Sequence, residues 1–219
     1  GTMATGGFST HNASAGWFAT QPGLNGPLIE MTLTFFMVLA GTNFVLIYFV
    51  ALGQPGRLFA DIEFRVYIGF MLAVTVLVVS FGLYRSDFPD LPDAIRFGLF
   101  QVVSIMTTTG YGTHDFDEWN SFGRGVLFLL MFVGGCAGST GGGLKVIRHV
   151  LLLKVLLLQI EQAFRPSVVR PVRLSGHSVP EELRTSIPMY FAAILVIFVF
   201  SWMAVVTFEP DATWTGKGR

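Results

Sequence analysis

Residues Ser104 to Asp115 read SIMTTTGYGTHD, with three threonines, a glycine, a tyrosine and a second glycine in succession. The apolar-faced run IRFGLFQVV precedes this stretch, and GRGVLFLLMFVGG follows it. A polar, glycine-punctuated segment between two apolar ones raises a question that the surrounding sequence answers.

Of 219 residues, 52% are hydrophobic and 13% charged, against about 25% charged in soluble domains. Mean hydropathy is +0.62, and several apolar runs reach the ~20 residues needed to cross a hydrocarbon core. The composition therefore predicts a membrane protein. A net charge of zero supplies no field for nucleic acid, and none is expected as a partner. The single cysteine, Cys136, rules out an intrachain disulfide or a multi-cysteine metal site. At the N-terminus, GTMATGGFSTHNASAG has neither a basic region nor an apolar core of a leader. Both ends read as cuts within a longer protein.

Four spans are expected: Leu28–Leu52, Val66–Tyr84, Phe122–Leu158 and Ile187–Phe208. The third is too long for one crossing and is interrupted by GGCAGSTGGG. Seven of the 14 Lys and Arg residues lie between Lys145 and Arg184, which assigns that side to the cytoplasm. The acidic connection Arg85–Glu118, one crossing away, falls outside. Asp93–Met106 has a helical pattern but is too short to span. Its two ends must share the outer side, so it reads as a re-entrant half-helix. Irregular backbone at membrane depth is tolerated only when buried in protein or lining a wet cavity, and TTTGYGT follows immediately.

A span, an outer half-helix, a Thr/Gly stretch and a second span make the pore-loop unit of cation channels. Replacing the hydration shell of potassium takes rings of backbone carbonyls, and turning successive carbonyls toward one axis needs residues with φ > 0, which glycine supplies at no steric cost. Thr108, Thr109, Gly110 and Tyr111 are thus candidate filter residues.

TTGYG at Thr108–Gly112, GGCAGSTGGGLKVIR at Gly134–Arg148 and TMATGGFSTH at Thr2–His11 together resemble the TrkH/KtrB (Trk/Ktr/HKT) family of potassium uptake transporters. The resemblance implies an all-α membrane protein of repeated M1, pore loop and M2 units, with re-entrant half-helices and a broken M2 helix. Residues 1–61 would end the second pore loop and carry its M2. Residues 62–162 would form the complete third repeat, 163–186 a basic cytoplasmic connection, and 187–219 the first helix of the fourth. By the same resemblance Thr5, Gly6 and Gly7 are a second filter, with Phe8 as its bracing aromatic. Gly6 departs from the larger residue usual in the family.

Six glycines within Gly134–Gly143 argue against a continuous helix, since each costs about 1 kcal/mol relative to alanine. The spacing Gly138 to Gly143 matches a phosphate-binding loop, but Leu144 stands where lysine is required and Val146 where Ser or Thr should follow. The family resemblance implies instead an intramembrane gating loop of Gly134, Gly135, Gly138, Ser139, Thr140, Gly141, Gly142, Gly143 and Lys145. Lys145 and Arg148 also suit interfacial anchoring or docking of a partner. Asn43 suits an interhelical hydrogen bond or the lining of a cavity. Glu30 and His11 are expected near the outer ends, in solvent. Asp115, Asp117 and Glu118 form either a solvated loop or a cation-concentrating mouth.

No catalytic motif is present, and no enzyme activity is expected. No cofactor is expected in this chain, with potassium as substrate. The resemblance further implies a bacterial inner-membrane homodimer served by a cytosolic nucleotide-binding regulator of the TrkA/KtrA kind. The basic inner loop suits docking of that regulator or of anionic lipid headgroups. The alternatives are a tetrameric potassium-channel subunit, which two unlike filter strings in one chain oppose, and a membrane enzyme with a phosphate-binding glycine loop.

Overall fold

The computed structural model describes residues 1–165, 173–174 and 177–209. Much of the basic connection expected over 163–186, including Arg170, lies outside the described residues, as does 210–219. Eight α-helices are described: α1 Gly26–Ala40, α2 Phe44–Ala51, α3 Gly56–Ala60, α4 Ile62–Tyr84, α5 Leu91–Met106, α6 Ser121–Leu130, α7 Val146–Phe164 and α8 Glu181–Phe208. Short 3₁₀ turns occupy Ser14–Thr20 and Phe116–Glu118. The chain divides into two units, Gly1–Val150 and Leu151–Arg219.

Local chemistry sets most helix starts in the first unit. The side chains of Asn25, Asn43, Asp61, Asp90 and Asn120 accept the N–H groups of Leu28, Val45, Phe64, Asp93 and Gly123. Each such cap contributes about 1 kcal/mol. The half-helix α5 also has proline in its first turn, where its missing N–H costs nothing. Asn120 is itself held by Asp87, which accepts its backbone N–H at 3.0 Å.

The core lies where α4 and α5 meet. Tyr67, Met71, Val74, Val78 and Val79 of α4 are buried with Ala94, Phe100, Val102, Val103 and Met106 of α5, and Met37 of α1, Leu127 and Leu130 join the same cluster. The half-helix is therefore wrapped by protein, as a segment that enters the membrane without crossing it must be. A side chain at Gly98 would press on Val79, so that glycine permits close approach of α5 to α4.

The expected continuous span Leu28–Leu52 is corrected. Helices α1 and α2 meet at 107° across Gly41, Thr42 and Asn43. Asn43 leaves the helical conformation with ψ 120° and caps α2, while the carbonyls freed by the break find partners elsewhere. The break expected in Phe122–Leu158 is present, with the segment between α6 and α7 non-helical. Among the described residues, α4 and α8 are each long and apolar enough to cross a membrane, and the α1–α2 pair reaches that length and hydropathy only if its two bent halves are taken as one span. Helix α8 begins six residues before the expected Ile187.

In the second unit, Val155 and Leu158 of α7 are buried with Val179 packed against them. Two-residue strands, β1 Arg173–Leu174 and β2 His177–Ser178, pair antiparallel.

Glu30 is a second correction, since it is 1% exposed rather than solvated. Arg96 of α5 reaches it with Nε at 2.5 Å from Oε2 and Nη2 at 2.9 Å from Oε1, a two-pronged pair that fixes α5 to α1. Removing one partner of a buried pair leaves an uncompensated charge. Arg96→Leu should lower stability by about 3 kcal/mol, read as a fall in the melting temperature of detergent-solubilised protein, and the double variant Glu30→Leu/Arg96→Leu should recover most of it.

Candidate functional site

Helix α5 ends at Met106, and the chain turns back on the helix through hydrogen bonds to its own last turn. Ser104 O accepts the N–H groups of Thr109 at 2.9 Å and Gly110 at 3.3 Å, and Ser104 Oγ donates to Tyr111 O at 2.7 Å. The buried hydroxyls of Thr107 and Thr109 are 2.8 Å apart. Within this scaffold Thr108 has φ +57° and Gly110 φ +85°. Left-handed backbone at a threonine is uncommon, and such strain persists only where surrounding bonds impose it. Gly110 is exposed and has open space around it, so conformation, not crowding, requires glycine there.

The N-terminal string repeats this pattern. Thr5 has φ +47° and Gly7 φ +62°, the same alternate-residue spacing as Thr108 and Gly110. Gly6 lies between them, its N–H donating to Gly1 O at 3.1 Å. The two loops are neighbours, since a Cβ on Gly7 would collide with the Thr109 carbonyl. Gly16 N donates to Gly112 O at 3.1 Å, and Gly112 N to Ser14 Oγ at 3.2 Å, which joins the segments that follow each loop.

The glycine-rich segment is bonded to both loops. Thr108 Oγ1 accepts from Gly142 N at 2.6 Å. Thr5 Oγ1 donates to Thr140 O at 3.0 Å, and Thr140 Oγ1 lies 2.9 Å from Met3 O. The same segment occupies the break between α1 and α2. Gly41 O accepts from Cys136 N at 2.8 Å, Ala40 O from Thr140 N at 3.2 Å, and Gly138 O from Phe44 N at 3.1 Å. Two further bonds close its base, from Gly134 N to Leu144 O at 2.8 Å and from Val146 N to Gly135 O at 3.1 Å. The glycines are sterically required at this crossing: a Cβ on Gly135 would lie 2.8 Å from Gly41 O, and one on Gly134 would strike Gly142 O. Gly142 and Gly143 are exposed, while Gly141 is buried.

Lys145 turns into the segment. Its ammonium donates to Gly141 O and lies 3.4 Å from Ser139 Oγ, so it ties the loop rather than serving only as an interfacial anchor. Asn43 caps α2 and lies against Gly138. Tyr111 packs against the core beside its loop, whereas Phe8 is 88% exposed, its ring lying near Gly6. His11 stacks on Trp17 with ring centroids 3.8 Å apart. Asp115 caps the 3₁₀ turn containing Asp117 and Glu118, so part of that acidic group is structural.

Glu63 was not singled out in the sequence. It is 6% exposed, and its Oε1 accepts the N–H groups of Ala137 at 2.7 Å and Ile147 at 3.2 Å. The available signal was an acidic residue beside the capping Asp61 at the start of an apolar run.

Known proteins share sequence and overall fold with this chain. The TrkH family profile, described as a cation transport protein, matches residues 1–213. This chain belongs to the TrkH family. The family transports cations and is not one of enzymes, which removes the phosphate-loop enzyme as an alternative. The Trk system potassium uptake protein TrkH of Salmonella typhimurium is 33% identical over 211 residues, covering 96% of this chain and 42% of that protein. TrkH of Halomonas elongata is 34% identical over 222 residues, covering 99% and 44%. The crystal structure of the potassium transporter TrkH from Vibrio parahaemolyticus matches with a TM-score of 0.86 at 31% identity, over 95% of this chain and 44% of that one. The chain thus spans less than half the length of these TrkH relatives, all from bacteria.

Gly7 and Gly23 separate crowding from conformation, since Gly23 has φ +87° with nothing near a prospective Cβ. Gly23→Ala should cost about 1 kcal/mol from left-handed backbone alone. Gly7→Ala adds a backbone collision and should cost about 1–3 kcal/mol more. Thermal unfolding of the two purified variants checks the order.

Proposed function

We propose that this chain forms part of a potassium-uptake pore in a bacterial inner membrane, with Thr108, Thr109, Gly110 and Tyr111 in one filter quadrant and Thr5, Gly6 and Gly7 in another. The observation that carries this reading is the repeated left-handed pattern at Thr5/Gly7 and Thr108/Gly110, in loops set against each other. Left-handed backbone at alternate residues is how a chain turns successive carbonyls to one side, and carbonyl oxygens are the ligands that replace potassium's water. Membership of a cation-transport family and the potassium-uptake relatives support the choice of ion.

The segment Gly134–Lys145 is the gate. Its bonds to Thr5 and Thr108 tie it to both filter loops, so an ion passing between the loops meets this backbone next. Glycine-rich backbone, anchored by a few hydrogen bonds, can be displaced at modest cost, and Gly142 and Gly143 are exposed. Two quadrants do not close a four-fold filter, so the activity belongs to the full-length protein. That protein works as a homodimer with a cytosolic nucleotide-binding regulatory subunit. The nucleotide binds the regulator, and no cofactor is needed by this chain.

Gly110→Ser in the full-length protein should lower the ratio of rubidium to sodium uptake, because a side chain at φ +85° disfavours the filter conformation. An unaltered ratio removes Gly110 from the filter. Deleting Ala137–Gly142 should raise rubidium flux at normal membrane expression, whereas unchanged or abolished flux contradicts the gate.

A further inference from the structure

Glu63 stands outside both the filter and the glycine segment, yet its carboxylate joins the two shoulders of that segment. Ala137 lies early in the loop, and Ile147 is in the first turn of α7 beyond it. One oxygen, Oε1, takes both N–H groups. A buried carboxylate is tolerated when it is hydrogen-bonded and charge-compensated. Here the two backbone N–H groups satisfy Oε1, and Lys145, which donates to the Gly141 carbonyl, is the cation that acts on Glu63 from further off. Asp61, the other charge felt by Glu63, is engaged as the N-cap of α4.

The consequence is mechanical. Ala137 N–H cannot leave its place without breaking its 2.7 Å bond to the buried Glu63 carboxyl, and a buried N–H left without an acceptor is costly. Its neighbour Cys136 must simultaneously release the Gly41 carbonyl. The anchor belongs to α4, a helix whose inner face is packed into the core through Tyr67 and Met71. The loop is therefore tied to a rigid element and to the break in α1–α2.

We infer that Glu63 is the latch of the glycine loop, a positioning residue that holds the closed conformation through the backbone amides of Ala137 and Ile147. This rests on the gating reading above, but it concerns loop position and can be measured apart from flux. Cys136 provides the probe: it is the single cysteine of the sequence, its side chain is buried, and it adjoins Ala137.

The experiment follows maleimide modification of Cys136 in the full-length protein in membrane vesicles, with Cys136→Ala setting the background from any other thiol. Glu63→Ala should speed modification about tenfold, a factor within the range expected from losing two backbone hydrogen bonds of ordinary net strength. A cysteine placed at buried Ala94, in a Cys136→Ala background, should stay protected, because the latch does not hold α5. Unchanged modification of Cys136 overturns the inference, as does equal exposure of the Ala94 reporter, which would mean general loosening. If Glu63→Ala does not accumulate, Glu63→Met decides, since its thioether fills similar space but is only a weak acceptor: faster modification than in the unaltered protein supports the latch, and an equal rate overturns it. Faster modification without increased rubidium flux supports the latch and contradicts the gate.

Discussion

Backbone groups released from helices at membrane depth must find partners, because the surrounding lipid offers none. In this chain three irregular stretches solve the problem for one another. The break at Gly41–Asn43 exposes carbonyls, and the glycine segment supplies amides through Cys136 and Thr140. The glycine segment in turn receives a hydroxyl partner from Thr108, while Thr5 and Thr140 bond each other's loops. The proposed filter loops, the bent helix and the proposed gate form one hydrogen-bonded structure rather than three separate features.

That coupling has a mechanical corollary. Neutral backbone bonds in a protein interior are individually modest in net free energy, so the segment is held by number and geometry. Two charged groups strengthen the arrangement at its ends, Glu63 on one shoulder and Lys145 across the turn. The Glu30–Arg96 pair acts at a different level by fixing the half-helix to its neighbour, which leaves the loop after Thr107 on a stationary base. The loop proposed to select follows directly from a packed half-helix, and the segment proposed to move is glycine-rich backbone held by hydrogen bonds.

The half-helix and the glycine break were legible because composition alone demands them. Asp93–Met106 is too short to span and must end on the side where it began, although α5 starts two residues earlier at Leu91, and six glycines argue against a helix between α6 and α7. The bend after Ala40 was hidden by apolar residues on both sides of Gly41, Thr42 and Asn43, which averaged into one span. The contacts that define the site were not legible. Glu63 and Ala137 are 74 positions apart, and Glu30 and Arg96 are 66 apart, so only the folded chain brings them together. The exposure of Phe8 was likewise beyond the sequence, since a bracing role depends on what packs behind the loop.

The most direct test is paired rubidium and sodium uptake by a potassium-uptake-deficient bacterium carrying the full-length protein and its cytosolic partner. The account predicts growth on low potassium, with rubidium taken up far in excess of sodium. Membrane expression with neither ion taken up, or with both taken up equally, would contradict a selective filter built on Thr108–Gly110 and Thr5–Gly7.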